Sequence, residues 1–267
     1  VGLPADMAAA ESFFASVSRG NSAVLGQGIS LVLTAAVVAA GVQGGIERLS
    51  RWALPLLFLL LIGLAIWATT LPGAVGGYQT FLLSWDPAQL VNPTTIRNAF
   101  TQAFFSIGAG IGCILAYAAY LDRSNRLPQE AIAVVGLDTA VGLLAGMITF
   151  PLVVSFGLQD TISASTVGAL FLAIPTGLAS LGGTGRLVAV LFFSLAYLAA
   201  ITSSVSLLEV PVASLMDRLG CSRRRAAWLM ALLIFVVGLP AAVSIPVLEV
   251  MDSVFGGVLL ILGGFLL

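Results

Sequence analysis

The sequence predicts an all-α integral membrane protein with about seven transmembrane helices. Three observations carry this prediction. Hydrophobic residues fill 59% of the 267 positions and charged residues only 9%, against about 45–50% and about 25% in a soluble domain. The apolar residues come in runs of about 20, the length that crosses a bilayer as a helix. The arginines alternate between the ends of successive runs. This composition excludes a soluble globular enzyme and a disordered chain.

The spans are read at about 23–43, 53–71, 97–121, 129–158, 186–216, 225–241 and 246–267. The fourth and fifth are long enough to tilt or to extend past the membrane. Residues 1–22 precede them as an extracytoplasmic loop. They are no signal peptide, because no basic stretch precedes an apolar one. Residues 72–96, with Trp85, Asp86 and three prolines, form a second loop on that side. Residues 159–185 form a third loop or hairpin, with a short helix broken at Pro175. The chain opens on Val1 and stops inside the apolar run Val258–Leu267, so it reads as a piece of a longer membrane protein.

Arginine placement sets the orientation. Arg48, Arg51, Arg123, Arg126, Arg218, Arg223, Arg224 and Arg225 share one side if every span crosses. Arg19, Arg97 and Arg186 share the other. The richer side is cytoplasmic, so the long loops face outward. All 11 basic residues are arginine, and histidine is absent. Without lysine there is no Schiff base for retinal or pyridoxal phosphate. Without histidine, haem and most transition-metal sites are disfavoured. Cys113 and Cys221 lie in settings that do not suggest a structural disulfide.

Among the acids inside or at the rim of spans, Asp138, Glu209 and Asp252 stand out. An ionisable group in hydrocarbon is costly unless it meets a cavity or a partner. Glu209 is read either as a functional group or as a tie between helices, and Asp252 either as functional or as solvated near the outer end of its span. Asp138 is the deepest and most needs a partner. The third span also carries Gly108, Gly110 and Gly112 at alternate positions. Each glycine costs about 1 kcal/mol relative to alanine in a helix, so three beside Ser106 predict an unwound stretch. Such backbone is tolerated at membrane depth where it lines a cavity or is buried in protein. The hydroxyl run Thr202-Ser203-Ser204 allows two readings. It is either a close-packing surface or a set of oxygen ligands for a hard cation near mid-span.

The segments Gln102–Gly112 and Ala116–Leu121 resemble the sixth helix of the neurotransmitter:sodium symporter family. Gly44–Arg48 with Leu54–Phe58 resembles its fifth-helix region, Leu144–Pro151 its seventh helix, and Ala200–Glu209 its eighth in the bacterial style. The resemblance covers nearly the whole chain from residue 23 onward, in the family's order. It implies a leucine-transporter-like inverted-repeat fold, of which this partial chain supplies helices 4 to 10. Residues 23–71 would be two transmembrane helices of the first repeat, and 97–267 five helices of the second. It also implies a multi-pass protein of the bacterial inner membrane that is not an enzyme. Its activity would be sodium-coupled symport of a hydrophobic or neutral amino acid by alternating access. The expected partners are that amino acid and the lipid bilayer, with no nucleic acid.

The same resemblance carries site residues onto this chain. Ser106 and Asp138 match ligands of a first Na⁺, and Ala199 (through its carbonyl), Thr202 and Ser203 match ligands of a second. Phe105, Ser106, Gly108, Ile111, Ser203 and Leu207 match the substrate pocket. Asp252 matches a carboxylate of the extracellular gate. Gly45 and Pro55 match positions where the fifth helix unwinds toward the cytoplasm. Ile111 stands where the family often has an aromatic, and Gly108 where it often has serine. Asp138 stands where many members have asparagine. Its added charge implies chloride independence. The alternatives are a sodium symporter of a related family carrying a nucleobase or sugar, a seven-helix receptor or light-driven pump, and a membrane-embedded enzyme. The missing lysine and histidine weigh against the last two.

Overall fold

The helices begin earlier than the first predicted span. In the computed structural model, which describes residues 3–4, 6–84, 86–120, 126–158, 171–172 and 174–266, helix α1 covers Met7–Val17. Asp6 caps it, its Oδ1 accepting the Ala9 N–H at 2.8 Å. A side-chain acceptor here satisfies one of the amides that the first turn leaves open. Residues 1–22 are therefore partly helical, not a plain loop. Trp85, Arg123 and residues 159–170 and 173 of the third loop lie outside the described residues.

Among the described residues eleven further α-helices follow: α2 (Asn21–Ala39), α3 (Glu47–Ala68), α4 (Ala74–Tyr78), α5 (Pro93–Ile107), α6 (Cys113–Ala118), α7 (Leu127–Ser155), α8 (Ile174–Ala179), α9 (Gly182–Leu219), α10 (Arg223–Val243), α11 (Ile245–Met251) and α12 (Leu260–Leu266). Widely wound π segments occupy Val42–Ile46, Gln79–Leu83 and Asp252–Leu259, and a 3₁₀ turn occupies Pro87–Val91. Residues 72–96, expected as a loop, are thus largely helical in short pieces. Pro175 is the second residue of α8 as described, and the residue before that helix, 173, lies outside the described residues.

Among the described residues six helical stretches are long and apolar enough to cross a membrane: Asn21–Ala39, Val42–Ala68, Leu127–Ser155, Gly182–Leu219, Arg223–Val243 and Ile245–Leu266. The remaining predicted span, 97–121, is divided between α5 and α6. At about 1.5 Å per residue, the 38 residues of α9 reach about 57 Å, well beyond a hydrocarbon core of about 30 Å. Large apolar side chains face outward along these helices, among them Leu59, Ile132, Val190 and Leu232. A soluble protein rarely exposes such a surface, whereas a bilayer covers it. The chain is a multi-pass membrane protein.

The chain divides into two compact units. The first comprises residues 1–18, 54–85 and 139–199. Its core joins Leu57, Leu61 and Ala68 of α3 with Ile148 and Leu152 of α7, Leu178 of α8, and Val188 and Phe192 of α9. Backbones approach closely here: a β-carbon on Gly77 would meet the Pro151 backbone at 2.5 Å. The Gly73 N–H donates to Ser155 Oγ at 2.9 Å. The second unit comprises residues 19–53, 86–138 and 200–267. Its core joins Ala35 and Val38 of α2 with Val205, Leu208 and Val212 of α9 and Ala226, Ala227 and Ala231 of α10. Small residues on α2 and α10 let the two helices lie close. Gln27 Nε2 donates across to the Phe235 carbonyl at 3.2 Å.

Candidate ion and substrate site

The glycine run breaks the third span where the sequence predicts. Asn92 caps α5, its Oδ1 accepting the Thr94 N–H, and Pro93 opens the first turn. The helix ends at Gly108, whose φ of 71° is left-handed. Gly112 is left-handed too, at φ 84°, and starts α6. Only glycine takes such angles without a steric cost. Gly110 does a different job. A β-carbon there would run into the Leu260 carbonyl, and one on Gly263 would run into the Gly110 carbonyl. The break is thus pressed backbone to backbone against α12. Phe104 and Phe265 add an edge-on contact at 5.6 Å.

Ser106 lies in the last turn of α5, and Asp138 is the twelfth residue of α7. The Ser106 hydroxyl donates to Asp138 Oδ1 at 2.6 Å. These two residues, 32 apart in sequence, are the pair read as ligands of the first ion. The hydroxyl keeps its acceptor lone pairs and the carboxylate keeps Oδ2. An all-oxygen, anionic donor set of this kind suits a hard cation.

Phe105, Gly108 and Ile111 occupy the end of α5 and the break itself, and Phe105 is largely exposed. Ala199, Thr202 and Ser203 stand in α9 at i, i+3 and i+4, which places them on one helical face. Leu207 follows one turn after Ser203 and is exposed. Asp252 opens the π segment of the last span and is exposed; it has no ion pair among the described residues. In the fifth-helix region, the π turn Val42–Ile46 precedes α3, with Gly41 at φ 92°. A β-carbon on Gly45 would run into the Val37 carbonyl. Helix α3 continues through Pro55.

Glu209 resolves as a tie between helices. It is 0% exposed, and both its oxygens are taken. The Tyr120 hydroxyl donates to Oε1 at 2.8 Å and Arg223 Nη1 donates to Oε2 at 2.7 Å. Arg223 Nη2 also donates to the Tyr120 oxygen at 2.6 Å, and the guanidinium lies 5.7 Å from the ring centroid. A second polar chain runs nearby. The Tyr117 hydroxyl donates to Ser206 Oγ at 3.0 Å, and the Ser206 hydroxyl donates to the Thr202 carbonyl at 3.3 Å. The sequence alone marks none of Tyr117, Tyr120 and Ser206 as a site residue, and marks Arg223 only as one of the arginines that set the orientation. Helical spacing supplied a signal for some of them, since Thr202–Ser206 and Cys113–Tyr117 are i, i+4 pairs.

Below the break the second unit holds a cavity of about 890 Å³. Its lining runs from Gly110, Ile111 and Gly112, past Tyr120, to Asp217 and Arg218. It therefore joins the unwound backbone to the end of α9 that carries Arg218.

A helix broken at left-handed glycines, with a hydroxyl–carboxylate pair at the break and a cavity leading from it, is the arrangement of carriers with discontinuous helices. Residues 21–266 match the model described as the Sodium:neurotransmitter symporter family, and the chain belongs to that family. It is 38% identical over 243 residues to the uncharacterized sodium-dependent transporter YhdH of Bacillus subtilis (strain 168), covering 89% of this chain and 52% of that protein. It is 31% identical over 169 residues to the sodium-dependent nutrient amino acid transporter 1 of Drosophila ananassae, covering 60% of this chain and 26% of that one. The crystal structure of MhsT in complex with L-phenylalanine superposes with a TM-score of 0.84 at 36% identity, covering 96% of this chain and 60% of that one. The fold is accordingly the leucine-transporter-like one. The chain spans about half the length of the curated relatives it matches, 52%, 43% and 48% for three of them.

Proposed function

We propose that this chain works in the sodium-coupled symport of a hydrophobic or neutral amino acid across a bacterial inner membrane, by alternating access. The observation that carries the reading is the Ser106–Asp138 hydrogen bond at the helix break. It joins, across two helices, the two oxygen-bearing residues read as ligands of one ion. Family membership and the similarity to a carrier crystallised with L-phenylalanine support the substrate class.

Sodium is cargo here as well as the source of driving force. Ser106 and Asp138 hold one ion. Ala199, Thr202 and Ser203 contribute to a second. The break offers freed backbone polar groups to the amino-acid main chain. Phe105, Ile111 and Leu207 present an apolar surface to its side chain, and Gly108 leaves room for a bulky one. Asp252 serves the outer gate. The π turn around Gly45, with Pro55 on the helix that follows, opens the inner path, and the cavity between the break and Arg218 forms part of it. Coupling is thermodynamic, because an ion shifts the conformations only by its differential affinity for them. Asp138 supplies a fixed negative charge, so transport is chloride-independent.

Equilibrium binding of labelled L-phenylalanine and other neutral amino acids to the purified intact protein tests the reading. Saturable binding in sodium medium that disappears in potassium medium is expected. Equal binding in both media, or none to any neutral amino acid, overturns it.

A further inference from the structure

We propose that Tyr117 and Ser206 are positioning residues for the ion-binding turn of α9. They fix the turn that presents Thr202 and Ser203 and tie it to α6. This rests on the reading of Thr202 and Ser203 as sodium ligands.

Ser206 follows Thr202 by one helical turn. Its hydroxyl donates back to the Thr202 carbonyl at 3.3 Å. A bond of this kind competes with the backbone amide for the same carbonyl and slightly opens the turn. The turn it spans is the one that begins with Thr202 and Ser203. With its proton committed to Thr202, Ser206 Oγ accepts from outside the helix, and the donor is the Tyr117 hydroxyl at 3.0 Å. The chain of donors therefore has one direction, from Tyr117 through Ser206 to the Thr202 carbonyl.

Tyr117 sits on α6, a few residues past Gly112. One turn earlier on the same face, the Cys113 thiol approaches the Ser206 carbonyl at 3.7 Å. A single residue of α9 is thus held from two successive turns of α6, once through its side chain and once through its backbone. Cys113 is buried and Tyr117 half-buried, so water competes poorly for these bonds. Any movement of α6 about the left-handed hinge at Gly112 must stretch this contact and loosen the ion-binding turn. Reciprocity then requires that an ion held at that turn bias the position of α6.

The test is equilibrium binding of radiolabelled sodium to the intact native protein. Tyr117→Phe and Ser206→Ala each remove one hydroxyl from the chain. Each is expected to raise the half-saturating sodium concentration about 2- to 10-fold, the worth of one ordinary hydrogen bond. The double variant is expected to be no weaker than the weaker single one, because the two residues act as one device. Ser206→Thr keeps the hydroxyl and is expected to bind sodium like the wild type. If loss of the Tyr117 hydroxyl unfolds the protein, Ser206→Ala carries the same test from the other helix. Unshifted sodium affinity in the folded variants, a double variant whose losses multiply, or Ser206→Thr as weak as Ser206→Ala overturns the proposal. A wild-type protein that binds no sodium overturns it together with the proposed function; a sodium-binding wild type with unshifted variants overturns this inference alone.

Discussion

Arg223→Met isolates the buried charge pair of Arg223 with Glu209. Glu209 has no exposed surface, and its carboxylate is held by Arg223 at 2.7 Å and Tyr120 at 2.8 Å. Removing the guanidinium leaves a buried carboxylate with one neutral donor. It also takes the cation from the Tyr120 ring. Breaking a buried pair from one side costs about 3–5 kcal/mol, because a charge is stranded without compensation. The Arg223 side chain is 18% exposed, so some water reaches the site, and the lower figure applies, about 3 kcal/mol. At about 2–4 °C per kcal/mol for a chain of this size, the midpoint of thermal unfolding should fall by about 6–12 °C. The assay is thermal unfolding of the intact protein in detergent, followed by size-exclusion recovery. Adding Glu209→Gln removes the stranded charge and should restore most of the loss. Arg51→Met is the control. Its ion pair with Glu47 is exposed on both sides, and such helix pairs are worth about 0.3–0.5 kcal/mol. An Arg223→Met midpoint that moves no more than that of Arg51→Met, or a double variant less stable than Arg223→Met alone, would show that Glu209 is not left as a stranded buried charge.

Gly110→Ala should cost about 1–3 kcal/mol through overpacking, since its β-carbon meets the Leu260 carbonyl and not a movable side chain; unchanged thermal stability would show that the break and α12 do not touch in the membrane. Wild-type uptake should be equal in chloride and gluconate media, whereas uptake by Asp138→Asn should fall in gluconate; equal rates of the variant in both media would contradict the role proposed for the charge. Thr202→Ala combined with Ser203→Ala should sharply weaken sodium activation of uptake, and an unchanged sodium dependence would remove α9 from the ion site.

The broken span was legible because its signal is local. Gly108 and Gly112 reach left-handed angles that other residues avoid, and alternate glycines beside a hydroxyl announce that without any tertiary information. The oxygen pair Ser106–Asp138 was legible through the resemblance, and Asp138 independently through the cost of an unpartnered acid at membrane depth. Glu209 was legible as a problem but not as an answer. Its partners are Arg223, 14 residues on, and Tyr120, 89 residues back, and no spacing rule links three positions that only the fold brings together. The π segments at Val42–Ile46 and Asp252–Leu259 were hidden for another reason. One extra residue per turn leaves an apolar run just as apolar, so composition cannot register it. The α1 helix left a readable trace in Asp6 followed by helix-forming alanines, which the loop reading of residues 1–22 passed over.

Under the proposed function a sodium gradient drives an amino acid through the intact protein. The most direct test is accumulation of labelled L-phenylalanine and other neutral amino acids in liposomes that hold the intact protein. An inward sodium gradient should raise the internal amino acid above its equilibrium level, and collapsing that gradient should release it. Equal uptake under an inward potassium gradient, or internal levels that never exceed equilibrium, would contradict the account.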